Sequence, residues 1–590
     1  MMLNTKKRPL IAAVILLTSL GVTTSCIDNS YDLNKDIDMT ISAGGEHLAI
    51  PVGYTERITL DKIIELNSED DLKVLDNGEY HLLKEDEIIP STTTVKQITV
   101  NGSSDNPIEK ITAANEHSSI ENNVITTNII PKKGKIKATA TQIDKAVIEI
   151  GELQGIQPTD LLLKFKLTGD LSYQSIKASL VISFPYYLQF MADPKLNKEN
   201  NILTLELTES ELKLNQEYIY PLKLTGYKFA TQAGTDKGKY PGEQHSITIN
   251  DDVTITGKTE VTVNSAVNGA LLEINPTVEL TPMPIKSIRG VIKPEINETV
   301  TTVKLENLPD FLSDDAVELD ITNPLISFIA NNPLQTPIVL NGIMYGEKGG
   351  STIEGSTVKI GNESKDKNKI LLAPGDNTII LSRTGKSDKE NSQSVQNIQV
   401  SDINNLIKKI PDVVNVVLNP IVENEQYYTV ELKDYEMTGN YDIDIPLNFG
   451  SALKIVYDET IDNFDLDLED VDIKKAILSI NAVNTIPLAM EIKDDNVSAV
   501  DVNGNVIKDI DVTVEGTITE SKDGKTEVTS TLNINLDETA EGAISKLDGL
   551  KLKVTAVPGQ ATDVQLLSSQ WLQLKDMKLK IPNGIKVDLN

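Results

Sequence analysis

The chain has 590 residues, a formal net charge of −32 and one cysteine, and aromatic residues make up 4% of it. Such an excess of acidic groups disfavours binding to nucleic acid or to anionic lipid surfaces, and it keeps a protein soluble. A single cysteine excludes an internal disulfide, so the stability of the fold has to come from buried apolar surface.

The first element in the chain is a secretory signal. Three basic residues (6–8) precede an uncharged and largely apolar run over 10–22, and small residues then lead into Cys26. This arrangement is typical of a cleaved signal peptide, which we predict over residues 1–25. The apolar run is shorter than the ~20 residues that a helix needs to cross a bilayer, which argues against a membrane span here.

A cysteine directly after small residues resembles the signal of bacterial lipoproteins. The resemblance implies that Cys26 is lipidated and becomes the first residue of the mature protein, held on the membrane by several acyl chains. Thr23 stands where the usual lipobox has Leu. A signal-peptidase site that leaves Cys26 as a free thiol is the alternative. By the sorting rule of enterobacterial lipoproteins, Ile27 in place of Asp implies the outer membrane, with the periplasmic or surface face left open.

Strand patterns dominate the mature chain. Residues 26–46 are polar and acidic, and we interpret them as a tether. Short segments that alternate apolar and polar residues then follow each other to the C-terminus. Their close spacing predicts an all-β protein with tandem antiparallel β-sandwich-like domains and few short helices. The predicted units are an N-terminal β region and three β-sandwiches, over 47–130, 131–265, 266–430 and 431–590.

Two features interrupt the strands of the unit at 266–430. Residues 347–396 are rich in Gly, Ser, Lys and Asn, and they predict a hairpin insertion. Residues 402–410 predict a helix that Ser401 or Asp402 caps and Pro411 ends, because their apolar residues recur at helical spacing. These apolar residues are Ile403, Leu406, Ile407 and Ile410.

Two segments, 326–342 and 476–492, are similar at a spacing of 150 residues. ISFIANNPLQTPIVLNG and AILSINAVNTIPLAMEI both contain a strand, a turn and a second strand, and the alignment pairs Asn331 with Asn481 and Pro337 with Pro487. This predicts one hairpin unit used twice. The first copy resembles the late-embryogenesis-abundant, water-stress type of β-sandwich, where an Asn-Pro pair and a later Pro lie on a turn. Convergence is the alternative to common descent.

Longer stretches resemble uncharacterised multi-domain lipoproteins of gut Bacteroidales. CIDNSYDLNKDID followed by LAIPVGYTERITLDKII resembles their N-terminal signature, and ENLPDFLSDDAVELDITNPLISF and QWLQLKDMKLKIPNGIKVDLN resemble later ones. The resemblance implies an exported, lipid-anchored and strand-rich protein. It implies no activity, because that family has none assigned.

No motif in the sequence indicates a reaction. The acidic run at 462–472 lacks the Gly of an EF-hand loop and alternates with apolar residues, which favours a solvated strand face over a calcium site. No GxSxG elbow is present. The histidines are far apart and lack the spacing of zinc ligands. They are His47, His81, His117 and His245. We therefore predict no enzyme activity, no catalytic or metal-binding residue and no cofactor.

Aromatic side chains are the remaining candidates for a ligand surface. Trp571, the only tryptophan, precedes Leu572 and would lie on the face opposite to it, beside polar side chains. Tyr186 and Tyr187 form a second candidate cluster. Such rings can stack on a sugar, but packing against a neighbouring domain is the commoner role of an aromatic residue near a surface.

The sequence favours a non-enzymatic, lipid-anchored cell-envelope protein that acts as a scaffold or interaction module. Its expected partners are the membrane, through the anchor, and an envelope protein or a glycan, but not nucleic acid. The main alternative is a cell-surface glycan-binding lipoprotein beside an outer-membrane sugar importer, which the low aromatic content disfavours. A pilus or adhesin subunit is a third alternative. The alternating run at 585–589 argues against it, because that run predicts a strand integral to the last domain.

Overall fold

A computed structural model of the chain describes residues 41–43, 48–64, 66–230, 238–264, 269–306, 308, 309, 312, 315–361, 369–422, 425–461, 464 and 471–587. The predicted signal peptide and Cys26 lie outside these residues. So does most of the acidic run at 462–472.

The regular secondary structure of the described chain is almost entirely β-strand, which confirms the predicted fold class. It begins with β1 (Ile41–Ala43), β2 (Ala49–Gly53), β3 (Ile58–Thr59), the short helix α1 (Leu60–Ile63), β4 (Leu72–Val74), β5 (Tyr80–Thr94), β6 (Thr99–Gly102), β7 (Asn106–Pro107), β8 (Ile111–Ala114), β9 (Ile120–Glu121) and β10 (Val124–Ala140). There follow β11 (Val147–Gly169), β12 (Tyr173–Ser183), β13 (Leu188–Phe190), β14 (Leu196–Asn197), β15 (Ile202–Thr208), β16 (Glu217–Lys228), β17 (Ile247–Val263), β18 (Leu272–Leu280) and β19 (Met283–Ile292).

The second half of the chain continues in the same way. Its strands are β20 (Thr299–Lys304), β21 (Leu325–Asn332), β22 (Ile338–Lys348), β23 (Ser351–Thr352), β24 (Val358–Ile360), β25 (Ile370–Leu372), β26 (Gly375–Ser382), β27 (Val395–Gln399), β28 (Val413–Ile421), β29 (Tyr428–Glu431) and β30 (Asp434–Pro446). The last are β31 (Ile455–Ile461), β32 (Val471–Asp472), β33 (Lys475–Asn484), β34 (Ala489–Val500), β35 (Ile510–Glu515), β36 (Val528–Glu538), β37 (Gly549–Val557), β38 (Trp571–Lys580) and β39 (Ile585–Val587). Short 3₁₀ helices lie at Gly242–Gln244, Ile403–Leu406 and Ile544–Lys546.

The same arrangement of six strands occurs three times. We call the three copies sandwich A, B and C in chain order. One group of three paired strands is β15-β12-β17 in A, β26-β21-β30 in B and β36-β33-β38 in C. The other group is β11-β16-β13 in A, β20-β28-β22 in B and β31-β37-β34 in C. In A, the strands β19, β6 and β10 join the two groups into one 15-stranded sheet. Because corresponding strands follow each other in the same order along the chain, the three sandwiches share one topology.

The N-terminal part of the chain adds one further strand to each sandwich, in reverse order. β2 pairs with β38 of sandwich C, β5 with β30 of sandwich B, and β10 with β17 of sandwich A. The chain therefore passes through C, B and A before it returns to complete A, B and C. The sandwiches are nested rather than strictly tandem.

This nesting bears on the predicted boundaries. β5 lies in the predicted N-terminal region (47–130), yet its partner β30 lies in the predicted last unit (431–590). β1 lies inside the predicted tether (26–46) and pairs with β39. Strand pairing thus crosses the boundaries that the sequence suggested, because a period-two pattern identifies a strand but not its partner.

Alternating burial builds the cores. In β12, Ile176, Ala178, Leu180 and Ile182 are all buried, whereas the residues between them are not. Such alternation places one face of each sheet against the other and leaves the second face to solvent. Apolar side chains in all three sandwiches contribute to the buried core.

Two local predictions differ from the structure. The predicted helix at 402–410 is only a 3₁₀ turn over Ile403–Leu406, and no side chain caps it. Its Asn404 side chain instead accepts from Ile321 N at 2.9 Å and donates to Leu319 O at 3.2 Å, which ties the turn to a neighbouring segment. The predicted insertion at 347–396 supplies β23, β24 and β25 to the sheet of β22 and places β26 beside β21. Short apolar runs between its polar residues are buried in sandwich B.

The predicted C-terminal strand is also placed differently. β39 pairs with β1 and β32 in a separate three-stranded sheet and not with the strands of sandwich C. A turn closed by a hydrogen bond from Gly584 N to Ile581 O at 3.0 Å redirects the chain after β38.

The two segments of the predicted repeat contain the connection between the second and third strands of their sandwich, β21 to β22 in B and β33 to β34 in C. The sequence alignment of the two segments is two residues out of register with the structure. Asn332 and Asn484 end the second strand of their sandwich, and both are buried. Each side-chain amide donates to the carbonyl four residues on, and each side-chain oxygen accepts from the backbone N–H two residues on. The structure therefore pairs Asn332 with Asn484, whereas the sequence alignment paired Asn331 with Asn481.

Candidate functional site

The candidate site is an apolar cavity of about 440 Å³ between the two sheets of sandwich C. One wall consists of residues from β33, β36 and β38, and the other of residues from β31, β34 and β37. Among the residues on these two walls are Ile480, Leu532, Leu574, Met577, Ile455, Met490, Ile492, Leu552, Val554 and Ala556. The segments around α1 and after β30 close the space between the sheets, through residues such as Leu60, Ile64, Leu447 and Phe449.

Side-chain exposure shows independently that this interior is not filled. Six of the cavity-lining residues of β31, β34 and β37 keep 5–9% of their surface accessible: Ile455, Met490, Ile492, Leu552, Val554 and Ala556. Inward-facing residues on the corresponding sheet of sandwich A keep only 0–2%: Leu161, Leu163, Leu222 and Leu224. Protein interiors are normally close-packed. The residual exposure in sandwich C is therefore surface that faces a void.

Few polar groups line the cavity. Thr55 is satisfied, because its hydroxyl accepts from Leu574 N at 2.9 Å. Glu459 on β31 is the one charged side chain among the described lining residues, and it is half-buried. Ile63 of α1 also lines the cavity and is 48% exposed, so the cavity reaches the surface beside α1. An apolar space with a polar group at its rim is typical of sites for small apolar ligands.

Trp571 does not form an open platform. It lies on the face of β38 opposite to the cavity, as the alternation predicted, since Leu572 and Leu574 line the cavity. The indole is nevertheless only 9% exposed. The guanidinium of Arg57 covers it at 4.0 Å from the ring centroid and also pairs with Glu527 at 3.2 Å. Sequence alternation could not show this cover, because Arg57 comes from the distant N-terminal segment.

The two tyrosines of the second predicted cluster have different environments. Tyr187 is buried, and its hydroxyl donates to Asp251 at 2.7 Å. Burial, and next the hydrogen bond to Asp251, raise the pKa of the Tyr187 hydroxyl far above its usual value. Tyr186 is 57% exposed and meets the Tyr187 ring edge-on at 5.5 Å between centroids. Only Tyr186 of this pair thus offers a ring to a ligand.

Among the described residues, no group of three or more His, Cys, Asp and Glu side chains is placed to hold a metal ion. His81 lies between two carboxylates, with Nδ1 2.5 Å from Asp444 and Nε2 3.3 Å from Glu79. These partners belong to β30 and to the residue before β5, so the contact joins two paired strands. No helix in the described part of the chain is both long and apolar enough to span a membrane.

Comparison with known proteins adds little to this geometry. No protein-family model matches the sequence, and no curated protein matches it. A crystal structure of a "putative secreted protein" from Parabacteroides distasonis is 14% identical, covers 50% of this chain and 83% of its own, and has a TM-score of 0.34. A chain in the atomic structure of the Sulfolobus turreted icosahedral virus is 8% identical, covers 79% of this chain and 92% of its own, and has a TM-score of 0.12. Neither similarity is close enough to carry an argument about function.

Proposed function

We propose that this protein is a non-enzymatic, lipid-anchored protein of the outer membrane whose C-terminal sandwich binds an apolar ligand. The cavity in sandwich C carries the proposal. Its volume of about 440 Å³ lies within the range of roughly 300–1,000 Å³ that is usual for ligand pockets. It is roughly three times the volume of a dry apolar cavity (~150 Å³) that takes up benzene.

The energy of an empty cavity supports a bound ligand. Cavities made by core substitutions cost on the order of 24 cal/mol per Å³. An empty apolar space of about 440 Å³ therefore destabilises sandwich C. A ligand that fills the space offsets this cost. Each buried methylene contributes about 0.8 kcal/mol.

The path of the chain supports a membrane source for that ligand. β1 pairs with β39, so the segment that leads from the predicted anchor joins the protein beside the strands that end sandwich C. Cys26 precedes Ile41 by 15 residues, which span at most about 50 Å when fully extended. With a lipid on Cys26, sandwich C is the part of the protein that is tethered closest to the bilayer.

The proposal is tested with the ectodomain from Ile27 onward and the apolar fluorophore phenylnaphthylamine. We expect saturable binding by the native protein and its loss in Ala556→Phe, because the added ring fills part of the cavity. Ala556→Phe should fold with unchanged or higher stability, since it adds volume where space is open. Ala476→Phe is the matched control, because Ala476 is fully buried in the same sandwich and does not line the cavity. It should lose about 1–3 kcal/mol through overpacking.

Two results would contradict the proposal. One is a native ectodomain that binds no fluorophore and carries no extractable apolar molecule after purification. The other is that Ala556→Phe and Ala476→Phe destabilise the protein equally, which would mean that the space around Ala556 is already filled.

The glycan-binding alternative stays a prediction. It depends on an exposed ring, and Tyr186 is the predicted residue that offers one. A glycan array with the ectodomain and with Tyr186→Ala tests it, and a hit that this substitution leaves unchanged would refute the platform.

A further inference from the structure

Glu459 is the feature of the cavity that distinguishes one apolar ligand from another. β31 is the edge strand of its sheet, and its residues alternate between the cavity and the outer face. Ile455, Glu459 and Ile461 are on the cavity side. A carboxylate thus lies on the same face of β31 as Ile455 and Ile461.

This carboxylate has no partner in the described part of the chain. Neither a hydrogen bond nor an ion pair joins Glu459 to another described residue. The nearest lysines in the sheet, Lys551 and Lys553, lie opposite Thr460 and Asp458 and therefore on the outer face. Leu552, directly opposite Glu459, is apolar and lines the cavity. An unpaired carboxylate beside apolar surface is costly to desolvate unless a charge or a donor meets it.

We infer that the cavity binds a single-chain amphiphile with its tail between the sheets and a positively charged nitrogen beside Glu459. This inference rests on the proposed function and adds the chemistry of the head group. A cavity of about 440 Å³ suits one alkyl chain. The head has to remain at the rim, where Glu459 is half-buried and in reach of water. A carboxylate there attracts an ammonium group and repels an anionic head.

A simpler role for Glu459 predicts a different outcome. Inward-pointing charges on edge strands also prevent a sheet from pairing with another chain. In that role Glu459 would hinder self-association, and it would not discriminate between head groups. The two roles therefore separate in a ligand comparison.

The experiment displaces phenylnaphthylamine from the ectodomain with three probes of equal chain length: dodecylammonium, dodecanol and dodecanoate. We expect dodecylammonium to bind about tenfold more tightly than dodecanoate, because Glu459 attracts the first head group and repels the second and the two effects add. Glu459→Gln should bring the affinities for these two probes together, and Glu459→Lys should reverse their order. Asp458→Asn is the control, because it removes the same charge from the next residue of β31, on the outer face. Its preference should equal that of the native protein.

The outcomes separate the two levels of the argument. Equal affinity for the charged probes in the native protein, or a preference that persists in Glu459→Gln, overturns the role of Glu459 while leaving an apolar site. Failure of all three probes and of the fluorophore to bind overturns the proposed function itself.

Discussion

The buried asparagine at the end of β33 should be among the most sensitive positions of sandwich C. The Asn484 side-chain amide donates to Leu488 O and Thr519 O, both at 3.0 Å, and its oxygen accepts from Ile486 N at 2.8 Å. Asn484→Ala leaves these three backbone groups without their partner. Each buried group left unsatisfied costs about 1–3 kcal/mol. Because Ile486 N and Leu488 O lie in one turn and can relax together, we expect a total loss of about 3–5 kcal/mol.

Trp571 makes this loss measurable in one sandwich. It is the only tryptophan in the chain, and its backbone joins the same turn, since Trp571 N donates to Thr485 Oγ1 at 2.8 Å. Urea unfolding followed by tryptophan fluorescence should show a midpoint lower by roughly 1–5 M in Asn484→Ala, given slopes of about 1–3 kcal/mol per M. The native protein and the variant are compared under identical conditions.

Asn481→Ala is the matched control. The Asn481 side chain only accepts from Thr531 Oγ1 at 2.9 Å, and that contact is exposed. We expect a change within about 0.5 kcal/mol, as for most surface substitutions. Similar midpoints for the two variants would refute the reasoning, because the turn would then not depend on the buried amide.

Three further predictions concern the anchor, the C-terminus and acid stability. Cys26→Ala expressed in the native host should lose acyl labelling and move to the soluble fraction, and unchanged membrane retention would contradict lipidation. Deletion of 585–590 should change the free energy of unfolding, measured from the Trp571 transition, by less than about 1 kcal/mol. The reason is that β39 pairs with β1 and β32 and not with the described strands of sandwich C, and that Ile585 is only partly buried. A large shift would show that β39 supports the sandwich. Hydrogen bonds from Thr208 N at 2.8 Å and Thr208 Oγ1 at 2.7 Å lower the pKa of Glu211 from 4.5 to about 2. A carboxyl group whose pKa is lowered on folding stabilises the folded state at any pH above its unfolded-state pKa. This stabilisation is lost as the pH falls through the folded-state pKa. The Tm advantage of the native protein over Glu211→Gln should therefore shrink between pH 4.5 and about 2, and a pH-independent difference would rule out this linkage.

Local patterns in the sequence identify the strands but not their partners. The alternation in β12 or β36 predicts a strand with one buried face, and the structure has both. Nothing local indicates that β5 pairs with β30, because that contact joins segments more than 300 residues apart. The 3₁₀ turn at Ile403–Leu406 shows the same limit, since its Asn404 is held by a distant segment. The repeat could be found from sequence, but its register depended on which asparagine is buried.

The cavity was beyond sequence reasoning for a related reason. An inward-facing Ile or Ala has the same pattern whether the space opposite is filled or empty. Tyr187 and Trp571 attracted attention as aromatic residues, whereas the lining of the candidate site is aliphatic. One signal was present: the acidic Glu459 interrupts the apolar phase of β31. A charged residue at a position where the alternation of a strand predicts a buried side chain is a candidate for the rim of a cavity.

A comparison of sandwiches A and C accounts for the cavity in C and yields a last prediction. Sandwich A fills its interior with rings, since Phe165 and Tyr227 are almost fully buried and Tyr227 stacks on Phe229 at 6.1 Å between centroids. Strand β37 of sandwich C, which corresponds to β16, presents the smaller side chains of Val554 and Ala556 to the cavity. Smaller side chains on the same framework leave space, so sandwich C should be less stable than sandwich A when it is empty.

On chemical unfolding we therefore expect the Trp571 transition, which reports on sandwich C, to precede the loss of β-structure measured by circular dichroism. Dodecylammonium at about 100 times its dissociation constant should raise the stability of sandwich C by about 2.7 kcal/mol and bring the two transitions together. Coincident transitions without ligand would show that the empty cavity costs little. A fluorescence transition that ligand leaves in place would show that the ligand binds elsewhere.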